Sequence, residues 1–589
     1  MGSTAYQLAH HAYGMFWSHF LLFWLLILVL IIVSASTVSR SSDGALPRFP
    51  QTPLTVYPKR PRRPRVADVI SGIVLLLFTT CYIITAFYKE DFSHYDNDIL
   101  LDYSLRGKNY PLPIWHGIGR FLPLQYQEFN LLRFVTTSSA GYHALAVAQL
   151  IIVLIALLVI LGDYGFRYRT PILIAVMLTP SFVISFLWLI CPERNVLFWL
   201  SIVLLCLHKY PETKGRIYFV GCLVATHFAL YYKETTVVVV AAYPVMRLLS
   251  DAYVGWRAGH RSWRGLTRQN TLALGLLGVS GIYIVLFLLA MLPESSFSYV
   301  NTHQAGLGSV FWGYLQTAWL PFILVPVLVL RFGRFALYQA QLDPMWDCLG
   351  VGALACFLCL MALRMYSGYY TAPVDLIALL YLARVSLSWL SKPTRLRVSI
   401  VTAAFACLLV HSAAYSLFSV IESKSLIAIK SQLADFLKSY VATSGSKTVE
   451  VYFPYADGFP LMGLSSYLRY RGLRLAGQAA TSSIPEPTLV IEGAATFPDN
   501  RCVGYKDYAC LHRESAPDGA LIVVLPDDKA PMAAVDEIGK HAVLLFSTET
   551  RAARGGCGSW LRLLHAISPH FSEGELPEHW LQLHVFKKT

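Results

Sequence analysis

The chain has 589 residues, 55% of them hydrophobic and only 14% charged, where ordinary soluble domains carry about a quarter charged. That balance excludes a soluble globular body, and the apolar residues stand in long blocks rather than amphipathic periods. The formal charge of +13 lies largely in loops between those blocks, so it is a membrane-topology signal and not a nucleic-acid surface.

The first block contains FLLFWLLILVLIIV (20–33). It has no Lys or Arg before it and is long for the apolar core of a signal peptide, so it reads as a retained helix over 16–36. Further apolar spans follow at 66–88, 143–161, 171–190, 196–207, 217–232, 235–250, 271–292, 310–330, 346–365, 372–390 and 398–420. A helix of about 20 apolar residues crosses a bilayer, and the pattern predicts a polytopic α-helical membrane protein of about twelve spans. Of the 11 cysteines, all but Cys502, Cys510 and Cys557 lie in or beside these spans, as small apolar packers. A Cys502–Cys510 disulfide requires an oxidising compartment and leaves Cys557 over.

Lys and Arg alternate between the loops. PKRPRRPR (58–65), DYGFRYRT (163–170), HKYPETKGR (208–216), WRAGHRSWRGLTR (256–268), RFGR (331–334) and SKPTRLR (391–397) are rich in them. CPERN (191–195), the 293–309 loop and YSGYYTAP (366–373) together hold one arginine. By the positive-inside rule the first set is cytoplasmic, in a cell inner (plasma) membrane protein. The N-terminus, the 89–142 loop and everything after Val420 then lie outside. PKRPRRPR, which elsewhere suggests nucleic acid, sits between two spans and reads as a topology signal that also contacts anionic lipid.

The longest outer loop begins where the second span ends and carries Asp91, Asp96, Asp98 and Asp102. These acids alternate with Phe92, Tyr95, Ile99, Leu100 and Leu101, the pattern of a partly buried segment whose carboxylates need a partner or a task. A carboxylate at a membrane surface can deprotonate a sugar or lipid hydroxyl that attacks an activated carbon. Arg106, Lys108 and Arg120 in the same loop either hold an acidic group or pair with the acids. The acids with His94 or His116 leave room for a divalent metal, although no clear metal cluster stands in the sequence.

In HFALYYKETTVVVVAAYP, Lys233 and Glu234 fall between two apolar segments at an outward turn, against the charge bias. Charges beside hydrocarbon are costly and tend to be functional; a Lys–Glu pair capping a turn is the plainer alternative. Arg364, at the outer end of its span, can chelate phosphate oxygens or snorkel to headgroups. Arg194, His303 and Asp375 are weaker outer candidates, and Arg384 reads as one member of an internal ion pair. After the last span IESKSLIAIKSQLADFLKSY reads as an amphipathic helix. TVEVYF (448–453), TLVIE (488–492), ALIVVL (520–525), AVLLF (542–546) and LQLHVF (581–586) then read as strands. Helical stretches at 464–472 and 530–541 separate some of them, predicting a C-terminal extra-cytoplasmic α/β domain of about 150 residues. The chain thus divides into 1–65 (helix and basic linker), 66–420 (membrane domain with outer loop 89–142) and 421–589 (tail).

An outer first large loop with Asp96-Asn97-Asp98, then Arg106-Gly107 and Gly119-Arg120-Phe121, followed by many spans, resembles the GT-C glycosyltransferases. The nearest likeness is to bacterial enzymes that use a polyprenyl-phosphate sugar, and it covers about 66–420; the helix at 16–36 and the tail depart from it. The resemblance implies an inverting transfer to a glycan, lipid or protein acceptor. Asp98, Asp96 or Asp91 would be the base. Lys233 and Glu234, with Arg364, Arg106, Arg120 and His116, would bind the donor. An O-antigen polymerase or ligase-like transferase and a polytopic transporter are the competing readings.

Overall fold

The computed structural model describes residues 20–41, 66–88, 91–92, 103, 109–115, 120–213, 215–257, 267, 270–291, 306–338, 342–391, 393–445, 448–454, 458–474, 488–493, 511–512, 515–524, 532–548 and 583–589. Side chains within these ranges are described except at a few positions. The membrane body is a helical bundle. Its helices are α1 (Phe20–Ser41), α2 (Val66–Phe87), α3 (Gln127–Leu132), α4 (Ser139–Ile160), α5 (Phe166–Leu178), α6 (Pro180–Leu187), α7 (Glu193–Thr213), α8 (Arg216–Leu230) and α9 (Thr236–Arg257). They continue as α10 (Thr271–Met291), α11 (Leu307–Thr317), α12 (Trp319–Tyr338), α13 (Trp346–Ala362), α14 (Ala372–Trp389) and α15 (Arg395–Thr443).

Among the described residues seven helices are long and apolar enough to cross a membrane, and the bent pair α5–α6 makes an eighth. The expected span 171–190 is that bent pair. Thr179 is extended and Pro180 has no N–H to donate, so the helix turns by 62° there. The expected span 310–330 is likewise divided at Ala318, between α11 and α12. The span 398–420 and the amphipathic helix after it are one helix of 49 residues, α15, because nothing from Arg395 to Thr443 is Gly or Pro. At 1.5 Å per residue it is about 70 Å long, well over twice a hydrocarbon core. The 420–421 boundary therefore falls inside a single helix. α2 presents nearly its whole apolar surface outward, as does one face of α1, the environment that lipid supplies.

The loops sort into two ends of the bundle, as their charges do. At one end residues 109–115, 120–135, 188–195, 231–236 and 369–371 meet: Leu124 N–H donates to Tyr231 O (3.2 Å), and Trp188 packs on Tyr369. At the other, Arg167 N–H donates to Asp68, Arg247 pairs with Asp251, Arg331 pairs with Asp347, and the Arg384 guanidinium lies over Trp346.

The tail is a six-stranded sheet of β3 (Thr448–Phe453), β4 (Thr488–Gly493), β5 (Leu511–His512), β6 (Leu521–Val524), β7 (Ala542–Ser547) and β8 (His584–Lys588), after the short β1 and β2 between α2 and α3. Its order is β5-β4-β3-β6-β8-β7; the first four run parallel, and β8 lies antiparallel to both β6 and β7. Helices α16 (Gly458–Tyr470) and α17 (Met532–Gly539) complete it. Ile429, Leu433, Leu437 and Val441, one stripe of α15 at every fourth residue, pack on Val449, Val451 and Phe453. The last membrane helix thus supplies part of the tail's own core. The Cys502–Cys510 expectation lies outside the described residues.

Candidate active site

The site sits at the Lys/Arg-poor end, where the chain after α2 returns to the bundle. β1 (Ile114–Trp115) and β2 (Arg120–Phe121) form a small antiparallel ribbon. From it the Arg120 Nε donates to Glu234 Oε1 at 2.9 Å, and the Phe121 N–H donates to the same oxygen at 3.1 Å. Phe121 is fully buried against Phe20, Tyr231 and Tyr283, which fixes the ribbon on α1, α8 and α10. The β1–β2 ribbon and the Lys233-Glu234 turn, 114 residues apart, are therefore joined.

Lys233, on the same turn, points inward. Its Nζ lies 3.0 Å from Glu193 Oε1 and 4.2 Å from the centre of the Tyr370 ring, and the Lys233 and Glu193 side chains are only 6% and 1% exposed. Beside it Arg194, fully buried, donates through Nη2 to Glu128 Oε1 (3.2 Å). Asn195 Nδ2 donates to the same oxygen (2.6 Å), and Gln149 Nε2 donates to Asn195 Oδ1 (2.8 Å). Arg194 Nε and Nη1 and Glu128 Oε2 have no hydrogen-bond partner among the described residues. Burial pushes the Glu128 carboxyl above the usual carboxylate range, against the opposing pull of Arg194 and Asn195. Three cation–carboxylate pairs thus stand here: Lys233–Glu193 is closed to solvent, Arg120–Glu234 is partly open, and the fully buried Arg194 meets a Glu128 whose side chain is 14% exposed. Guanidinium and ammonium groups held this way suit phosphate oxygens that arrive from the membrane surface.

Asp91 is placed differently. Its Oδ1 accepts from the Phe92 N–H, and its Oδ2 from the Tyr467 hydroxyl of the tail (3.2 Å), with Arg471 at 3.8 Å. Burial, then the Asp91 charge, push the Tyr467 phenol up, so it remains a donor. Phe92 lies edge-on to both Tyr142 and Tyr470. Asp91 ties the tail to the membrane body just where the acidic loop begins. Tyr467→Phe should cost this docking about 1.5–3 kcal/mol, the worth of a hydrogen bond to a charged group. Limited proteolysis reads it as faster release of the tail, and unchanged cleavage would show that the contact contributes nothing.

Arg364 is exposed and adopts φ 52°, the left-handed region. It stands just past the end of α13, with its N–H bonded to Met361 O and the Met365 N–H to Leu360 O, a Schellman closure that normally takes glycine. Arg364→Gly should raise stability by about 1 kcal/mol by removing the left-handed cost. Loss of activity in that more stable protein would then report a ligand role, whereas a lower melting temperature would contradict the backbone argument. Asp96, Asp98, Arg106, His116 and His303 lie outside the described residues, as do Asp102, His94 and Lys108. Among the described residues no three His, Cys, Asp or Glu side chains gather as a metal site.

Sequence reasoning missed Glu128, Glu193, Asn195 and Gln149 and ranked Arg194 low. A signal was available in Gln149, a lone amide inside an apolar block, and in three adjacent polar residues within CPERN.

No family model matches the chain, and no curated protein matches it. Among solved structures it is similar to ArnT from Cupriavidus metallidurans, a protein solved bound to undecaprenyl phosphate. The match covers 82% of this chain and 97% of that one at 12% identity, with a TM-score of 0.42.

Proposed function

We propose that the chain is an integral-membrane glycosyltransferase that takes a sugar from a polyprenyl-phosphate carrier at the extra-cytoplasmic face of the plasma membrane. About twelve helices would cross the bilayer in this reading, with the N-terminus and tail outside. The observation that supports it is the Arg120–Glu234 pair at 2.9 Å, which joins the β1–β2 ribbon to Glu234, whose preceding residue, Lys233, is paired with buried Glu193. Asp98, or in second place Asp96, takes the proton of the acceptor hydroxyl. The hydroxyl oxygen forms its bond at the anomeric carbon from the face opposite the phosphate. The carbon–phosphate oxygen bond breaks and its electron pair leaves on the phosphate, giving inversion. Arg120, Lys233 and Arg194 supply the positive field in which that charge develops. In this role the Lys233–Glu193 contact holds the ammonium in place.

The direct test is sugar transfer by the purified protein in proteoliposomes carrying a sugar-labelled polyprenyl phosphate. Asp98→Asn should lower the rate by about 10²–10⁴-fold, the usual worth of a general base. Wild-type rates in both Asp98→Asn and Asp96→Asn would remove the first-loop acids from the mechanism.

A further inference from the structure

Leu131 in α3, and Phe134 and Val135 in the turn that follows it, are 72%, 76% and 82% exposed among the described residues. The turn is built, not loose. Arg133 N–H donates to Phe129 O (3.1 Å), and Val135 N–H (2.8 Å) and Thr136 N–H (3.0 Å) both donate to Leu132 O. Ser138 then caps α4, its hydroxyl accepting from the Gly141 N–H. An ordered turn that presents three adjoining apolar side chains marks a surface that something other than water covers.

Its depth identifies the cover. α4 is a membrane span of 22 residues, about 33 Å at 1.5 Å per residue, which is close to the hydrocarbon thickness. Ser139 therefore lies at the edge of the acyl region, and the turn just before it lies among the headgroups of that leaflet. Apolar side chains at this level enter the acyl boundary. Arg133 adds a charge requirement. Its guanidinium lies 4.7 Å from the centre of the Phe134 ring. Its Nε and Nη1 are buried with no hydrogen-bond partner, and no carboxylate among the described residues pairs with it. Such donors need acceptors, and the planar guanidinium fork matches two phosphate oxygens. With no acid beside Arg133, a headgroup of net negative charge satisfies it better than a zwitterion, whose own ammonium competes.

We infer that the turn between α3 and α4 binds an anionic phospholipid, its phosphate on the Arg133 guanidinium and its acyl chains beside Leu131, Phe134 and Val135. The lipid bears on the candidate active site through α3, whose Glu128 accepts from Arg194 and Asn195. Holding the turn in the headgroup layer steadies the carboxylate that Arg194 meets.

The test is amide hydrogen exchange, mapped by peptide, of the full-length protein in nanodiscs of phosphatidylcholine with and without phosphatidylglycerol. A ligand that binds only the closed turn, present at about ten times its dissociation constant, slows exchange there roughly tenfold. Peptides spanning 129–138 should show that slowing with phosphatidylglycerol, and none when inorganic phosphate is added to phosphatidylcholine discs. Arg133→Gln should abolish the difference in these peptides while leaving any effect of phosphatidylglycerol on the Lys/Arg-rich loops unchanged. Phe134→Ser, which keeps the guanidinium, should weaken it. Equal exchange of the wild type in the two lipids would overturn the inference, as would an undiminished slowing in Arg133→Gln. Slowing by inorganic phosphate alone would overturn it in favour of a free anion.

Discussion

Lys233→Ala should abolish the proposed sugar transfer and destabilise the protein by about 3–5 kcal/mol, because it leaves the Glu193 carboxylate buried without its counter-ion. The sequence alone suggests a milder outcome, an outward-pointing lysine whose loss a folded protein tolerates. Burial of both partners changes that expectation. The structural and chemical parts separate in a compensated variant. Lys233→Met combined with Glu193→Leu replaces two buried charges by apolar groups of similar size, which is often neutral for stability. The double variant should melt within a few degrees of wild type and still transfer no sugar. A stable double variant with wild-type transfer would make Lys233 a structural residue only.

Arg194→Met should be equally severe, at about 3–5 kcal/mol, since Glu128 would lose the guanidinium while Asn195 remains its donor. Its pH dependence is the more telling part. Burial already raises the Glu128 carboxyl, and without Arg194 it rises further. A carboxyl raised in the folded state costs stability once pH exceeds its ordinary value of 4.5, and the full cost is reached above the folded value. The Arg194→Met deficit should therefore be greatest at alkaline pH and shrink on acidification toward 4.5. Melting curves of mutant and wild type across pH measure this. A deficit that is constant with pH would assign the loss to packing against Phe129, over whose ring the guanidinium lies.

Helix positions were readable because long apolar blocks leave little choice, and Thr179-Pro180 carried the signal for its bend. The unbroken α15 was readable as well, in the absence of Gly and Pro, but the change from apolar to amphipathic pattern at about 420 concealed it. β3, β4 and β7 coincide closely with their apolar runs, and β5, only two residues long, leaves no period to see. In the site, Lys233 and Glu234 stood out as charges against an apolar background. Glu193 did not, because its role depends on how the α6–α7 connection packs against the α8–α9 turn. Glu128 looked like any loop acid until Arg194 and Asn195 converged on it. Asp91 gave no hint of its partner Tyr467, which lies 376 residues away.

The measurement closest to the central claim is photocrosslinking with a polyprenyl phosphate that carries a diazirine next to its phosphate, followed by peptide mapping. The account predicts adducts in 109–135, 188–195 and 231–236, competed by unlabelled polyprenyl phosphate and absent from the stable Lys233→Met/Glu193→Leu variant. Adducts confined to the outward faces of α1 and α2, unchanged by that competitor, would contradict a carrier site at Arg120, Lys233 and Arg194.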